Sequence, residues 1–271
     1  MAGEAVSVEA VQERAGRVSR EIWRDLAAHW RRAPTPVVRL WPLWMALAVL
    51  GLAALLFVGV HFDLAAARAA KRLDPSLVAF YEAVTRAGKS DWLFALAVLT
   101  IFYGLSRRER APDTRRRAAW GLVASRGFYF LIVMAFSGIA AQIVKHIVGR
   151  ARPALIALDG PFHFDLFSLK SVLASFPSGH TTTVFAAFAA LTLLAPRVGP
   201  AFLLIALPVA ASRIIVGAHY PSDVCGGLCL GLASALIVAR VFARRRIAFT
   251  LAPDALLPKA RGAAAIRALF S

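Results

Sequence analysis

Between residues 40 and 242 the chain alternates long apolar runs with short polar stretches. Runs at about 40–60, 92–105, 127–144, 180–195, 200–217 and 223–242 predict six helices, most of them near the roughly 20 residues that a bilayer core requires. The second run is short for a span and is accepted because the alternating topology needs it. Trp41 and Trp44 suit the interfacial aromatic belt at the start of the first. Within the polar stretch 61–91, Asp74 is placed to cap a helix, Pro75 to occupy its first turn and Gly88 to end it. Ahead of the spans, Val8, Val11, Ala15, Val18, Ile22, Leu26 and Trp30 recur at helical spacing among arginines, and Pro34 and Pro36 follow. That pattern predicts a basic amphipathic helix, lying on the membrane surface or packed on its own protein.

Composition sharpens this picture. Hydrophobic residues make up 59% of the 271-residue chain and mean hydropathy is +0.65, more apolar than a soluble globule. The fold class is therefore all-α: a polytopic integral membrane bundle of about six transmembrane helices. A net charge of +17 could indicate a nucleic-acid partner, but the basic residues sit in runs beside apolar spans, as cytoplasmic flanks do, so no nucleic-acid binding is expected. Arg107, Arg108, Arg110, Arg115, Arg116 and Arg117 mark one cytoplasmic connection, and Arg240 with Arg244, Arg245 and Arg246 marks the end of the last span. Both termini are then cytoplasmic, although Arg68, Lys71, Arg72, Arg86 and Lys89 dilute the charge bias in the first external loop. Three regions follow: a cytoplasmic amphipathic segment, 1–39, a transmembrane domain, 40–242, and a basic cytoplasmic tail, 243–271. No cleavable signal peptide is apparent. Cys225 and Cys229, near Gly226, Gly227 and Gly231, read as helix-packing positions rather than a disulfide or metal site; packing through Gly227 and Gly231 within or between chains stays open.

Three polar clusters interrupt the second half: Lys145 to Pro153, Pro177 to His180, and Ser212 to Asp223. Each lies at the end of an apolar run, and threading the spans through a bilayer brings all three to one face. Lys145, Arg152 and Arg213 are three cations with little acidic company except Asp223, an arrangement costly when empty and suited to a phosphate. Ser178 and Gly179 open a helix whose backbone N–H groups would point at the same anion. His219 stands four residues before Asp223, which can fix its tautomer and leave the other ring nitrogen to attack; His180 can act as the acid and base for the departing oxygen and for water. Taken singly, these are ordinary residues, snorkelling cations, interface histidines and a helix-start acid. Their convergence on one face is what the ordinary readings leave unexplained. A metal held by His180, His219 and Asp223 is the nearest alternative, opposed by three cations around the same point. A transporter is another, but transporter sites lie near the midplane between repeated halves, and no repeat is visible. His146 and Arg150 read as structural; Arg150 and Lys170 are also candidates for a second phosphate.

The clusters match Lys-x6-Arg-Pro, Pro-Ser-Gly-His and Ser-Arg-x5-His-x3-Asp in order and at every defining position, over about eighty residues. In this the chain resembles the type 2 phosphatidic acid phosphatase superfamily, on its membrane lipid phosphatase branch. The resemblance implies a helical core, a metal-independent phosphatase without a cofactor, and a phosphohistidine intermediate. By position it assigns His219 as nucleophile, Asp223 as its orienting partner and His180 as leaving-group acid, with Lys145, Arg152, Ser178, Gly179 and Arg213 holding phosphate. Candidate substrates are undecaprenyl diphosphate, phosphatidic acid, phosphatidylglycerol phosphate and the phosphates of lipid A. Transfer of phosphate to another lipid remains open, as does oligomeric state. An alanine- and arginine-rich composition points to a bacterial inner membrane, with the site facing the periplasm.

Overall fold

In the computed structural model residues 41–252 and 255–270 are described, together with isolated positions between 13 and 28, so the amphipathic segment 8–31 lies largely outside the described residues. Among the described residues seven main helices carry the fold: α1 (Trp41–Ala70), α2 (Pro75–Thr85), α3 (Asp91–Glu109), α4 (Thr114–Val148), α5 (Gly179–Leu194), α6 (Leu203–Ile215) and α7 (Pro221–Arg244). Three apolar stretches among the described residues, Ala46–Ala70, Thr114–Val148 and Pro221–Arg244, are long and apolar enough to cross a membrane; Gly179–Leu194 and Gly199–Ile215 are shorter apolar segments.

The first and fourth helices extend furthest beyond the apolar runs that predict them. The first continues beyond 60 to Ala70, because Asp63 finds buried partners and does not end the helix. The fourth begins at Thr114, so Arg115, Arg116 and Arg117 form its first turn rather than a loop. Cations there oppose the helix dipole. Asp113 offsets this as N-cap, accepting from the Arg116 N–H at 2.7 Å and lying 3.7 Å from its guanidinium. The short α2 follows its sequence signals: the Asp74 side chain accepts from the Ser76 N–H at 2.8 Å, and a 3-10 turn ends at Gly88.

The core lies where α4, α5 and α7 meet. Val133, Met134, Ala186, Ala187, Ala190, Ala235, Val238, Ala239 and Phe242 are buried in one cluster. Small residues permit this approach. A Cβ on Gly231 would stand 2.6 Å from the Thr182 carbonyl oxygen, and one on Gly227 2.6 Å from that of Ser178. The α5–α7 contact thus uses both glycines within the chain, and it runs to the start of α5, where the second polar cluster lies. Cys225 and Cys229 on the same helix are free thiols.

The C-terminal stretch folds back instead of trailing away. Phe249–Thr250 (β1) pairs antiparallel with Lys259–Ala260 (β2), and Phe249 is fully buried with its ring 4.7 Å from that of Tyr129. Past α8 (Ala263–Arg267), Phe270 meets Trp120 edge-on at 5.6 Å. The tail expected from 243 therefore begins as the end of α7 and closes the end of the bundle away from the polar clusters.

Enlarging Gly231 to leucine is expected to push α5 off α7 and cost about 1–3 kcal/mol or more. Thermal unfolding in detergent checks this; an unchanged midpoint would contradict the close approach.

Candidate functional site

Helix direction brings the three clusters together. Lys145 is in the last turn of α4, Gly179 and His180 open α5, Arg213 is in the last turn of α6, and Asp223 is in the first turn of α7. Successive helices run in opposite senses, so a C-terminal end meets an N-terminal end twice at one face of the bundle.

Gly149 ends α4 with φ of 59°, donating to the Lys145 carbonyl at 2.9 Å. Glycine is required there twice over, for the left-handed conformation and because a Cβ would stand 1.6 Å from the Asp165 carbonyl oxygen. The chain beyond it is stitched down. Ala151 N–H donates to His163 O, Asp165 N–H to Gly149 O and Arg152 N–H to Val172 O, all at 2.9–3.0 Å. Arg150 and Arg152 flank Ala151 in this stitched segment, yet their side chains take different partners.

Arg152 faces the clusters. Its Nε donates to the Ser171 carbonyl at 3.0 Å, and Nη2 lies 3.4 Å from the Ala174 carbonyl oxygen, which also accepts from Lys145 Nζ at 3.2 Å. Lys145 is buried beside the start of α5: a Cβ on Gly179 would be 3.8 Å from its Nζ. Arg213 donates from Nη1 to Thr85 Oγ1 at 2.6 Å, and its Nε is buried without a hydrogen-bond partner. None of the three cations has a carboxylate within ion-pair distance among the described residues. Carbonyl and hydroxyl oxygens hold their positions but do not neutralise them.

Ser178 occupies the N-cap position of α5 in extended conformation, but its side chain does not cap the helix; it accepts from Thr181 Oγ1 at 2.9 Å. The first-turn N–H groups therefore lack a side-chain cap and suit an anion. Ser178 N–H donates to the Asp223 carbonyl at 2.9 Å, tying the starts of α5 and α7.

His219 lies in the loop between α6 and α7 and is buried. Burial holds its pKa down to about 4 despite the opposing pull of Asp223, and Lys145 and Arg152 push the same way as burial. The ring is neutral at pH 7. Its Nδ1 is buried without a hydrogen-bond partner, 3.6 Å from Asp223 Oδ2. That is longer than a hydrogen bond. His180 is within electrostatic reach of Arg213, His219 and Lys145.

Asp223 is fully buried and held from several sides. Oδ1 accepts from Arg150 Nη1 at 2.7 Å, and Oδ2 from Ser175 Oγ at 2.6 Å and the Tyr220 N–H at 2.9 Å. Arg150 in turn donates from Nη2 to Asp63 Oδ2 at 2.7 Å and to the Pro161 carbonyl at 2.8 Å, with its guanidinium 4.3 Å from the Tyr220 ring centre. Asp63 also accepts from the Ser222 N–H at 3.0 Å. Arg150 is thus fully engaged and is not available for a second phosphate, while Lys170 is exposed in the loop beyond.

Sequence reasoning missed Asp63, Ser175, Ser222, Thr85 and Gly88. An acid at the end of an apolar run is a signal in its own right, because a charge at membrane depth needs a partner. Gly88 was legible only as a helix stop, yet a Cβ there would stand 2.9 Å from His180 Cδ2 and 2.6 Å from Val209 Cγ1, so it is also the floor beneath the histidine. Among the described residues no three of His, Cys, Asp and Glu are grouped as a metal-ligand set.

A helical membrane bundle with this cation-ringed histidine pair falls in the class of integral membrane lipid phosphatases. The chain belongs to the PAP2 superfamily, whose model matches residues 126–247. Among its relatives, a lipid A 1-phosphatase of Rhizobium johnstonii is 39% identical over 237 residues, covering 87% of this chain and 95% of the relative. A second lipid A 1-phosphatase, from Rhizobium etli, is 42% identical over 173 residues, 64% of this chain and 75% of its own. The crystal structure of Aquifex aeolicus LpxE superimposes with a TM-score of 0.46 at 20% identity, over 65% of this chain and 93% of that one.

Removing one partner of a buried ion pair leaves the other charge uncompensated, at about 3–5 kcal/mol. Arg150→Ala is therefore expected to lower the unfolding midpoint markedly, whereas Lys170→Ala leaves it unchanged. Equal midpoints for the two variants would show that the Asp63–Arg150–Asp223 bridge is not structural.

Proposed function

We propose that the protein removes a phosphate from lipid A, at its 1-position, by way of a phosphohistidine on His219. The observation that carries the chemistry is the set of three cations that have no carboxylate partner among the described residues, gathered at an uncapped helix start beside a neutral buried histidine. The near full-length similarity to a lipid A 1-phosphatase narrows the substrate from the four lipid classes that the motifs allow.

Lys145, Arg152, Arg213 and the N–H groups at Gly179 and His180 bind the phosphate oxygens and stabilise charge as the phosphoryl group transfers. Neutral His219 attacks phosphorus through Nε2. Its Nδ1 proton faces Asp223, which stabilises the positive ring that forms. The bond from phosphorus to the lipid oxygen breaks as His180 delivers its proton to that oxygen. His180 then takes a proton from water, the hydroxide attacks the phosphohistidine, and phosphate leaves with His219 neutral again. No step in this scheme uses a metal ion.

Orientation follows from charge. Lys145 is roughly 45 Å along α4 from Thr114 at 1.5 Å per residue, more than the thickness of the hydrocarbon core. The arginines at the start of α4 and the end of α7 are thus on the membrane face away from the site. The positive-inside rule supports an inner-membrane protein with cytoplasmic termini and a periplasmic site.

Phosphate release by the purified protein in mixed micelles containing EDTA, compared across lipid A, undecaprenyl diphosphate, phosphatidic acid and phosphatidylglycerol phosphate, tests the proposal. Lipid A 1-phosphate is expected to turn over fastest and His219→Ala to release none. Preference for another lipid would overturn the substrate, and release by His219→Ala would overturn the nucleophile.

The pH profile supplies a second test. A lowered pKa means that His219 gains its inhibitory proton only as pH falls through about 4. Corrected for the substrate's own ionisation, the acid limb of kcat/KM is expected near pH 4. A limb at 6.5, the ordinary histidine value, would contradict the burial argument.

A further inference from the structure

Between Gly160 and Ala174 the chain carries Phe162, Phe164, Leu166, Phe167, Leu169 and Val172, all exposed. Leu169 is 82% exposed and Phe167 75%, which for large apolar side chains beside a site implies a partner. The segment is not loose. Its backbone is paired to the end of α4, with Phe167 N–H on the Ile147 carbonyl at 3.1 Å, Asp165 N–H on Gly149 O at 2.9 Å and an antiparallel bridge between Arg150 and Phe164. Phe167 itself has φ of 59°, an unfavourable conformation for a phenylalanine, and its ring nonetheless stands outward.

Continuity identifies the partner. Along α4, Phe136, Ile139, Ile143 and Ile147 form an exposed apolar stripe at helical spacing, which on a membrane-spanning helix faces lipid. The stripe ends at Ile147, where Phe167 is bonded. On the other side, Phe162 lies next to α1, with its Cε1 3.7 Å from where a Cβ on Gly59 would stand, near exposed Val60 and Phe62. The loop thus prolongs two lipid-facing surfaces. His163, Asp165 and Lys170, also exposed within it, limit its depth to the headgroup boundary. Its far end supplies the Ser171 and Ala174 carbonyls that hold Arg152 and Lys145.

We infer that residues 162–172 insert into the leaflet on the cation cluster's side of the membrane and form the apolar threshold over which a bilayer-resident lipid phosphate passes from the membrane to that cluster. The insertion stands by itself; the threshold role rests on the lipid phosphatase reading. It makes the loop a determinant of lipid against water-soluble phosphate substrates.

Two measurements test this in nanodiscs. In Phe167→Trp, emission and quenching are read as the increment over the six native tryptophans. The added signal is expected to be blue-shifted and quenched more by lipids brominated high on the acyl chain than by lipids brominated near its end. Water-like emission without quenching overturns the insertion, whatever the activity. Second, Phe167→Asn, which tolerates the left-handed backbone, is combined with Leu169→Ser. kcat/KM for bilayer lipid phosphate is expected to fall about tenfold or more while that for a short-chain, water-soluble phosphate ester stays within about twofold. Equal losses on both substrates overturn the threshold. Wild-type protein inactive on every phosphate, with the tryptophan still quenched, would refute the lipid phosphatase reading and leave the insertion intact.

Discussion

One buried guanidinium organises the polar end of this bundle. Arg150 joins Asp63 of α1 to Asp223 of α7 at 2.7 Å each, and its ring-stacked plane lies over Tyr220. Two carboxylates in an apolar setting repel each other and are costly to desolvate; a bidentate cation with matched geometry offsets both effects. The first helix thereby remains helical past an aspartate, the start of α7 is fixed, and one oxygen of Asp223 is occupied so that the other is turned toward His219. Lysine, a single point charge, does not reproduce this fork.

The opposite condition holds a few residues away. Lys145, Arg152 and Arg213 are positioned by carbonyl and hydroxyl oxygens that carry no full charge. Neutral partners leave the charge of the three cations, and the Nε of Arg213, uncompensated, a deficit that an anion would offset. A neutral His219 follows from the same field, since cations and burial both disfavour its protonation. On the proposed mechanism the nucleophile is ready before substrate arrives, and the bound phosphate would supply the negative charge beside which His180 carries a proton.

The sequence made the three polar clusters, their common face and the helix at Asp74–Pro75 legible, because capping and apolar periodicity are local signals. It did not reveal the extent of α1, since the partner that lets Asp63 remain in a helix is distant in the chain. Arg150 read correctly as structural, but its role as the bridge between two carboxylates was not legible, because Asp63 and Asp223 lie far from it in the chain. The helical start at Thr114 was hidden by arginines that usually mark a loop. Phe249 and Phe270, which anchor the tail, are isolated aromatics in a basic stretch, and nothing local distinguishes them from exposed ones.

The account centres on His219 as the residue that takes the phosphoryl group. Rapid mixing with lipid A labelled with phosphorus-32 at its 1-phosphate, followed by denaturing quench and peptide mapping, tests this directly. The account predicts an acid-labile, alkali-stable phosphoenzyme on the peptide bearing His219, absent from His219→Ala and retained longer when His180 is replaced and water attack is slowed. Label on another residue, or full turnover with no phosphoenzyme at any mixing time, would contradict it.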